Sequence, residues 1–182
     1  MHKRQWLEGL PSTWVPAPAW SVFDERGERS TPDAVHLTPS QAYGVVPQAE
    51  YMETTGNRVV LNLTGQDNMK AVSPGDFIIH LRSFQGGLEA SSLEGKVSAA
   101  YTVLKPACDM NITYYQHLLK SKAFVDELAN LTFQLRDGQT VNYARFARMA
   151  LPVPPSDVQQ RIADYLDRET GEIDAMIAKM DE

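Results

Sequence analysis

The chain has 182 residues, 43% of them apolar and 22% charged, a balance that suits one sizeable core with an appendage and excludes disordered, collagen-like and coiled-coil-only proteins. No run of about 18 apolar residues occurs, the opening MHKRQWLEGLPSTW lacks the apolar stretch of a signal peptide, and Cys108 is the only cysteine; no membrane span, export or intrachain disulfide is expected, and a cytoplasmic setting is. The net charge of −6 is uneven, with three basic and eight acidic residues from Pro154 onward but ten basic and eight acidic between Arg58 and Arg148, so charge alone neither supports nor excludes a nucleic-acid partner.

To about Gly56 the chain is rich in Pro, Ser, Thr and Gly. PSTWVPAPAW reads as irregular or extended backbone, because proline fixes φ and biases its predecessor away from helix. Trp14, Trp20 and Phe23 are expected to anchor this stretch on a core. Short β-like runs follow: RVVLNL (Arg58 to Leu63), DFIIHLR (Asp76 to Arg82) after Ser73-Pro74-Gly75, and VSAAYTVLKP (Val97 to Pro106) after Glu94-Gly95. Between residues 111 and 129 the period lengthens, and Ile112, Tyr115, Leu118, Leu119, Phe124, Val125 and Leu128 predict one or two amphipathic helices. QLRDGQT is a loop and RMALPV a last short strand. The mixture predicts an α+β protein: a compact mixed α/β body over 1–152, then a long helix over 153–182.

The terminal helix is the best-signalled element. Pro154 and Pro155 stop the strand, and Ser156 with Gln159 forms an S-x-x-Q capping box beside Asp157 at the positive end of the helix dipole. Ile162, Leu166, Ile173, Met176 and Met180 recur in steps that suit a 3.5-residue seam, with Glu169 as a polar interruption and Tyr165 and Ile177 broadening it. The stripe either covers the body's own core or packs on another helix. Gly171 costs roughly 1 kcal/mol against alanine and requires compensating packing. AMIAKMDE stops in phase without a Gly or Asn cap, so the last apolar positions are expected to meet another copy or a further segment.

The final stretch, Leu151-Pro152-Val153-Pro154-Pro155 with Asp157, Gln159, Ile162, Leu166-Asp167 and Ile173-Asp174, resembles the junction and spacer helix of specificity subunits from type I restriction–modification enzymes. Upstream, WLEGLPSTW, SPGDFIIHLRSFQGG, EGKVSAAYTVLKP, YYQHLLKS and LRDGQTVNYARFARMALPVPP resemble the same family's target-recognition domain, in the same order. The likeness is weakest between about residues 24 and 56. It implies a non-catalytic, sequence-specific reader of one half of a bipartite duplex DNA target, in a prokaryotic, nucleoid-associated setting. Its implied partners are modification (methyltransferase) and restriction subunits. The family carries two recognition domains and two spacer helices in pseudo-twofold array. One copy here leaves two options, a shortened chain or a natural half-subunit that pairs with a second half or with itself. Roughly 26 helical residues span about 40 Å, and half-sites one DNA turn apart are separated by about 34–36 Å.

Base reading needs forked or paired hydrogen-bonding groups, such as Arg for guanine and Asn or Gln for adenine. HLRSFQGG offers His80, Arg82, Ser83 and Gln85 beside glycines that allow close backbone approach, and LRDGQTVNY offers Arg136, Gln139 and Asn142. The plainer readings are a strand-to-loop transition with a solvated Arg82, and a turn in which Asp137 pairs with Arg136. Arg58 and Lys70 suit phosphate contacts, which position without reading sequence. Lys120 and Lys122 read as a solvated helix face. Gln41 to Gln66 is a further specificity segment in which no residue stands out. Pro74, Asp76, Glu94 and Lys96 imitate the PD…(D/E)xK pattern of metal-dependent nucleases, but both segments also make ordinary pre-strand turns, and the resemblance places them in a non-catalytic domain. No phosphate loop, nucleophile elbow, zinc spacing or S-adenosylmethionine glycine motif is found, so no cofactor is expected. The runner-up to DNA recognition is a helix-mediated assembly module that ignores DNA.

Overall fold

The computed structural model describes residues 5–57, 68–133 and 141–180. After a 3₁₀ turn at Gln5–Leu7, strand β1 (Val15–Pro18) is followed by a second 3₁₀ turn and by β2 (Phe23–Glu25). A hairpin of β3 (Leu37–Ser40) and β4 (Gly44–Pro47) leads into helix α1 (Gln48–Thr55). Strands β5 (Lys70–Val72) and β6 (Phe77–Ile79), the short helix α2 (Ser83–Gly86), and strands β7 (Glu89–Ala90), β8 (Gly95–Val97) and β9 (Thr102–Pro106) come next. Helices α3 (Ile112–Leu118), α4 (Lys122–Phe133) and α5 (Tyr143–Phe146), strand β10 (Ala150–Val153) and the long helix α6 (Ser156–Met180) complete the chain. The α+β reading is correct.

Alternation of side chains on the central sheet organises the layers. That sheet is antiparallel with order β2-β9-β6-β7. Phe23, Phe77, Ile79 and Leu104 face the main core, where Tyr115, Leu119, Phe124, Leu128, Phe146 and Leu151 cover them. Ile78 and Val103, paired across β6 and β9, face the other way onto Leu37, Val45, Val72 and Val97 of the hairpin and of the β5–β8 pair. Both faces are therefore covered, which is why Phe77-Ile78-Ile79 is apolar without interruption. Phe23 sits at the centre, edge-on to Phe77, Tyr115 and Phe146 at 5.3, 5.4 and 5.7 Å between ring centroids.

Within PSTWVPAPAW the extended alternative holds over Val15–Pro18, where β1 pairs with β10 so that Pro16 lies opposite Pro152, and the residues up to Gly56 add three further strands and α1 that had no sequence signal. Two prolines can face each other only at a pair that exchanges no N–H bonds, and a two-stranded ribbon tolerates this. Trp20 is 58% exposed and Trp14 half-buried, and neither joins the residues packed on the core, whereas Phe23 is fully buried. The run from Val97 to Pro106 is two strands, because Tyr101 N–H bonds to Ser98 O at 3.0 Å in a turn between them. RVVLNL lies outside the described residues.

Helix α6 is seated on α3. Pro155 O accepts from the N–H groups of Val158 and Gln159, both at 2.9 Å, so Ser156 is already inside the helix and the expected capping box does not form. Gln159 is buried instead: its Nε2 donates to Pro154 O at 2.9 Å and its Oε1 accepts from Asn111 N at 3.2 Å. Asn111 Nδ2 donates to Gln160 Oε1 at 2.8 Å, and His117 Nε2 lies 2.7 Å from Asp167 Oδ1. Ala163 is nearly inaccessible and belongs to the main core, with Ile162 packed against it. From Gly171 to Met180 every residue is exposed. Ile173, Met176 and Ile177 are more than half exposed and Met180 is 85% exposed. The lower stripe covers the body; the upper stripe is left open among the described residues. Gly171 has open space around it, so the compensating packing expected there is not found among the described residues.

Candidate nucleic-acid interface

The turn from His80 to Gly87 is built from the inside outward. His80 N–H donates to Ser83 Oγ at 2.9 Å, and His80 Nδ1 accepts from Arg82 N at 3.3 Å. Gln85 N–H donates to Arg82 O at 2.8 Å, and Gly87 N–H to Ser83 O at 2.8 Å. Gly87 has φ +85°, and an added Cβ would collide with the Leu119 carbonyl, while Leu88 N–H donates to that same oxygen at 3.1 Å. Only glycine fits this approach. His80 and Ser83 are thus buried supports rather than contacts, and Leu81, Arg82 and Gln85 project into solvent.

Behind the turn lies a buried polar group that the sequence reading missed. Glu89 Oε2 pairs with Lys120 Nζ at 2.7 Å, so Lys120 is no merely solvated residue. Burial raises the Glu89 carboxyl above its usual range, against the pull of Lys120. Burial, with Lys120 and Arg82 nearby, lowers His80 to about 4, and with Nδ1 accepting, the neutral ring carries its proton on Nε2. An unfolded histidine titrates near ~6.5, so the unfolded chain binds the proton first and stability falls as pH drops from there toward 4. We expect His80→Asn, whose Oδ1 can still accept from Arg82 N, to flatten this decline by up to about 1.4 kcal/mol per pH unit. The difference between variant and wild-type denaturation midpoints over pH 7 to 4 reads it directly, since Glu89 contributes equally to both curves.

The other candidates are dispersed. Asn142 caps α5, its Oδ1 accepting from Arg145 N at 3.2 Å while the residue remains exposed. Lys70 is partly buried and 3.4 Å from Glu25. Arg58, Arg136 and Gln139 lie outside the described residues. The nuclease pattern does not assemble: Asp76, 1% exposed, receives Arg26 Nε at 2.6 Å and Nη2 at 2.9 Å, together with Ser73 N at 2.8 Å. Lys96, equally buried, donates to Pro32 O at 2.6 Å, and Glu94 points to solvent. Among the described residues no group of three or more His, Cys, Asp or Glu could hold a metal ion, and no helix is long and apolar enough to cross a membrane.

A residue with no sequence signal joins the turn. Gln41, at the tip of the β3–β4 hairpin, donates from Nε2 to Arg82 O at 2.9 Å. The hairpin closes through three residues, Gln41 to Tyr43, between paired Ser40 and Gly44, with Gly44 at φ +69° as such loops require.

The family described as type I restriction modification DNA specificity domain matches residues 29–179. The crystal structure of the HsdS subunit from Thermoanaerobacter tengcongensis is similar over 97% of this chain and 44% of that one, with 18% identity and a TM-score of 0.63. A chain from a structural study of complex assembly and conformational transition of the type I R-M system is similar over 92% of this chain and 40% of its own length, with 19% identity and a TM-score of 0.60. The chain thus spans less than half the length of these structural relatives. No curated protein matches it.

Proposed function

Because the chain belongs to the family of type I restriction–modification DNA specificity domains, we propose that it reads one half of a bipartite duplex DNA target and is itself non-catalytic. Residues 1–152 form the reader and 153–182 the spacer segment, whose described helix is Ser156–Met180. The match over residues 29–179 carries this reading. The projecting Arg82 and Gln85 on a turn held by buried hydrogen bonds support it, because preorganised side chains lose less entropy on binding. Arg58, Lys70, Arg136, Gln139 and Asn142 are supporting contacts to phosphate or base in the same reading. Methylation and cleavage belong to modification and restriction subunits. The exposed Ile173, Met176, Ile177 and Met180 continue the Ile162–Leu166 stripe and pair with a helix of a second half or of a second copy.

Duplex binding measured against salt tests the reading. The full chain is expected to bind with log K falling linearly in log salt, at a slope near −0.9 per phosphate neutralised. Arg82→Ala should cost about 1–3 kcal/mol on the preferred sequence at unchanged slope, as loss of a base contact does. The second reading, an assembly module, is favoured by the acidic, apolar-striped α6; it requires self-association with no salt-dependent duplex binding at any ionic strength.

A further inference from the structure

Gln41 does more than touch the turn. A Cβ built on Gly86 would lie 2.6 Å from Gln41 Cδ, 2.8 Å from Nε2 and 3.0 Å from Cγ. The amide therefore occupies the space a side chain at Gly86 would fill, with Nε2 toward Arg82 O. A backbone carbonyl can only accept, which fixes the amide's orientation: nitrogen inward, with Oε1 unpartnered among the described residues. Arg82 O now uses both lone pairs, one for Gln85 N and one for Gln41. What remains on Gln41 is one oxygen acceptor and one N–H donor on an exposed side chain. That is the pair which matches N6–H and N7 of adenine in the major groove, and a two-stranded ribbon fits that groove.

We propose that Gln41 is a specificity-determining residue that reads an adenine, acting as one unit with Arg82 from a hairpin tip braced on Gly86. The proposal rests on the DNA-reading function given above. The brace matters because a free glutamine would lose more side-chain entropy on contact. Its rigidity comes from the closed hairpin: Tyr43 N bonds to Ser40 Oγ at 3.3 Å, and the Tyr43 ring packs edge-on to Tyr51 at 6.2 Å.

The test uses the full chain at low ionic strength with duplexes randomised over one helical turn, bound fractions being sequenced. Three proteins are compared: wild type, Gln41→Ala, and Gly86→Ala. Gly86 has no positive φ, so alanine fits its backbone and simply pushes the flexible Gln41 amide off its seat. Wild type is expected to enrich a motif containing an adenine that both variants lose, its preference falling roughly 5- to 100-fold, with the rest of the motif and the salt slope retained. An unchanged motif in Gln41→Ala overturns the proposal. So does a uniform loss of affinity on every sequence, which would make Gln41 a strut only. If wild type enriches no sequence while melting normally, the DNA-reading function itself falls, and this inference with it.

Discussion

Arg26→Ala lowers the unfolding free energy by about 3–5 kcal/mol, the largest single-residue effect expected outside the aromatic core. The reason is what it leaves behind. Asp76 is 1% exposed and receives both Arg26 nitrogens as a fork, with Ser73 N as the remaining donor. Removing the guanidinium strands a carboxylate where water cannot reach it, and that desolvation penalty exceeds the worth of the pair itself. Asp76 opens β6, and Gly75 N and Ser91 N bond to Ser91 O and Asp76 O, each at 2.8 Å, so the site ties β2, β6 and β7 together. Arg26→Lys should recover little, because a point charge cannot reproduce two parallel bonds. Asp76→Asn with Arg26→Ala should be milder than Arg26→Ala alone. Denaturant titrations of the four proteins check this; a loss below about 1 kcal/mol for Arg26→Ala would mean that water reaches Asp76.

Ile173→Glu combined with Ile177→Glu abolishes association through α6 while leaving the body intact. Both side chains are about half exposed, at 51% and 52%, and neither belongs to a core cluster of the described residues, so surface changes of this kind stay within about ±0.5 kcal/mol of wild-type stability. In a paired helix each would place a carboxylate in an apolar seam, a cost of several kcal/mol per site, or more than 100-fold in dissociation constant. Sedimentation equilibrium of the chain at tens of micromolar should show wild-type dimers and variant monomers with superimposable thermal melts. A monomeric wild type at that concentration would mean that α6 pairs only with a different segment. The same pairing by itself says nothing about DNA, which the salt dependence decides.

Local patterns were legible where one segment carries its own signal. The stripe and length of α6, the turn before β6 and the amphipathic period of α3 and α4 all follow from neighbouring residues. What escaped depends on distant ones. Gln159 is an ordinary capping residue until Asn111, 48 positions away, offers its N–H. Asp76 looks like a metal ligand until Arg26, 50 positions away, claims both oxygens. Gln41 carries no pattern at all, and its seat exists only because Gly86 lacks a side chain. The hairpin β3–β4 was hidden by its brevity and its prolines, which in a central strand would be excluded but on a two-stranded ribbon are not. His80 and Ser83 have the right chemistry for base contact but are buried, their polar atoms turned to the backbone N–H groups of Arg82 and His80 that close the turn.

The double grip of Asn111 on Gln159 and Gln160 fixes the azimuth of α6 as well as its position. A helix advances by 100° and ~1.5 Å per residue. One residue inserted above Asp167, past the last fastening to α3, would therefore swing the Ile173–Met176 side through more than a quarter of a turn while moving it hardly at all. Seven residues would restore the bearing to within about 20° and lift it by roughly 10 Å. The rod is a protractor before it is a ruler: small insertions alter which way its partner must face, and only insertions close to whole turns, such as about seven or eleven residues, alter reach alone.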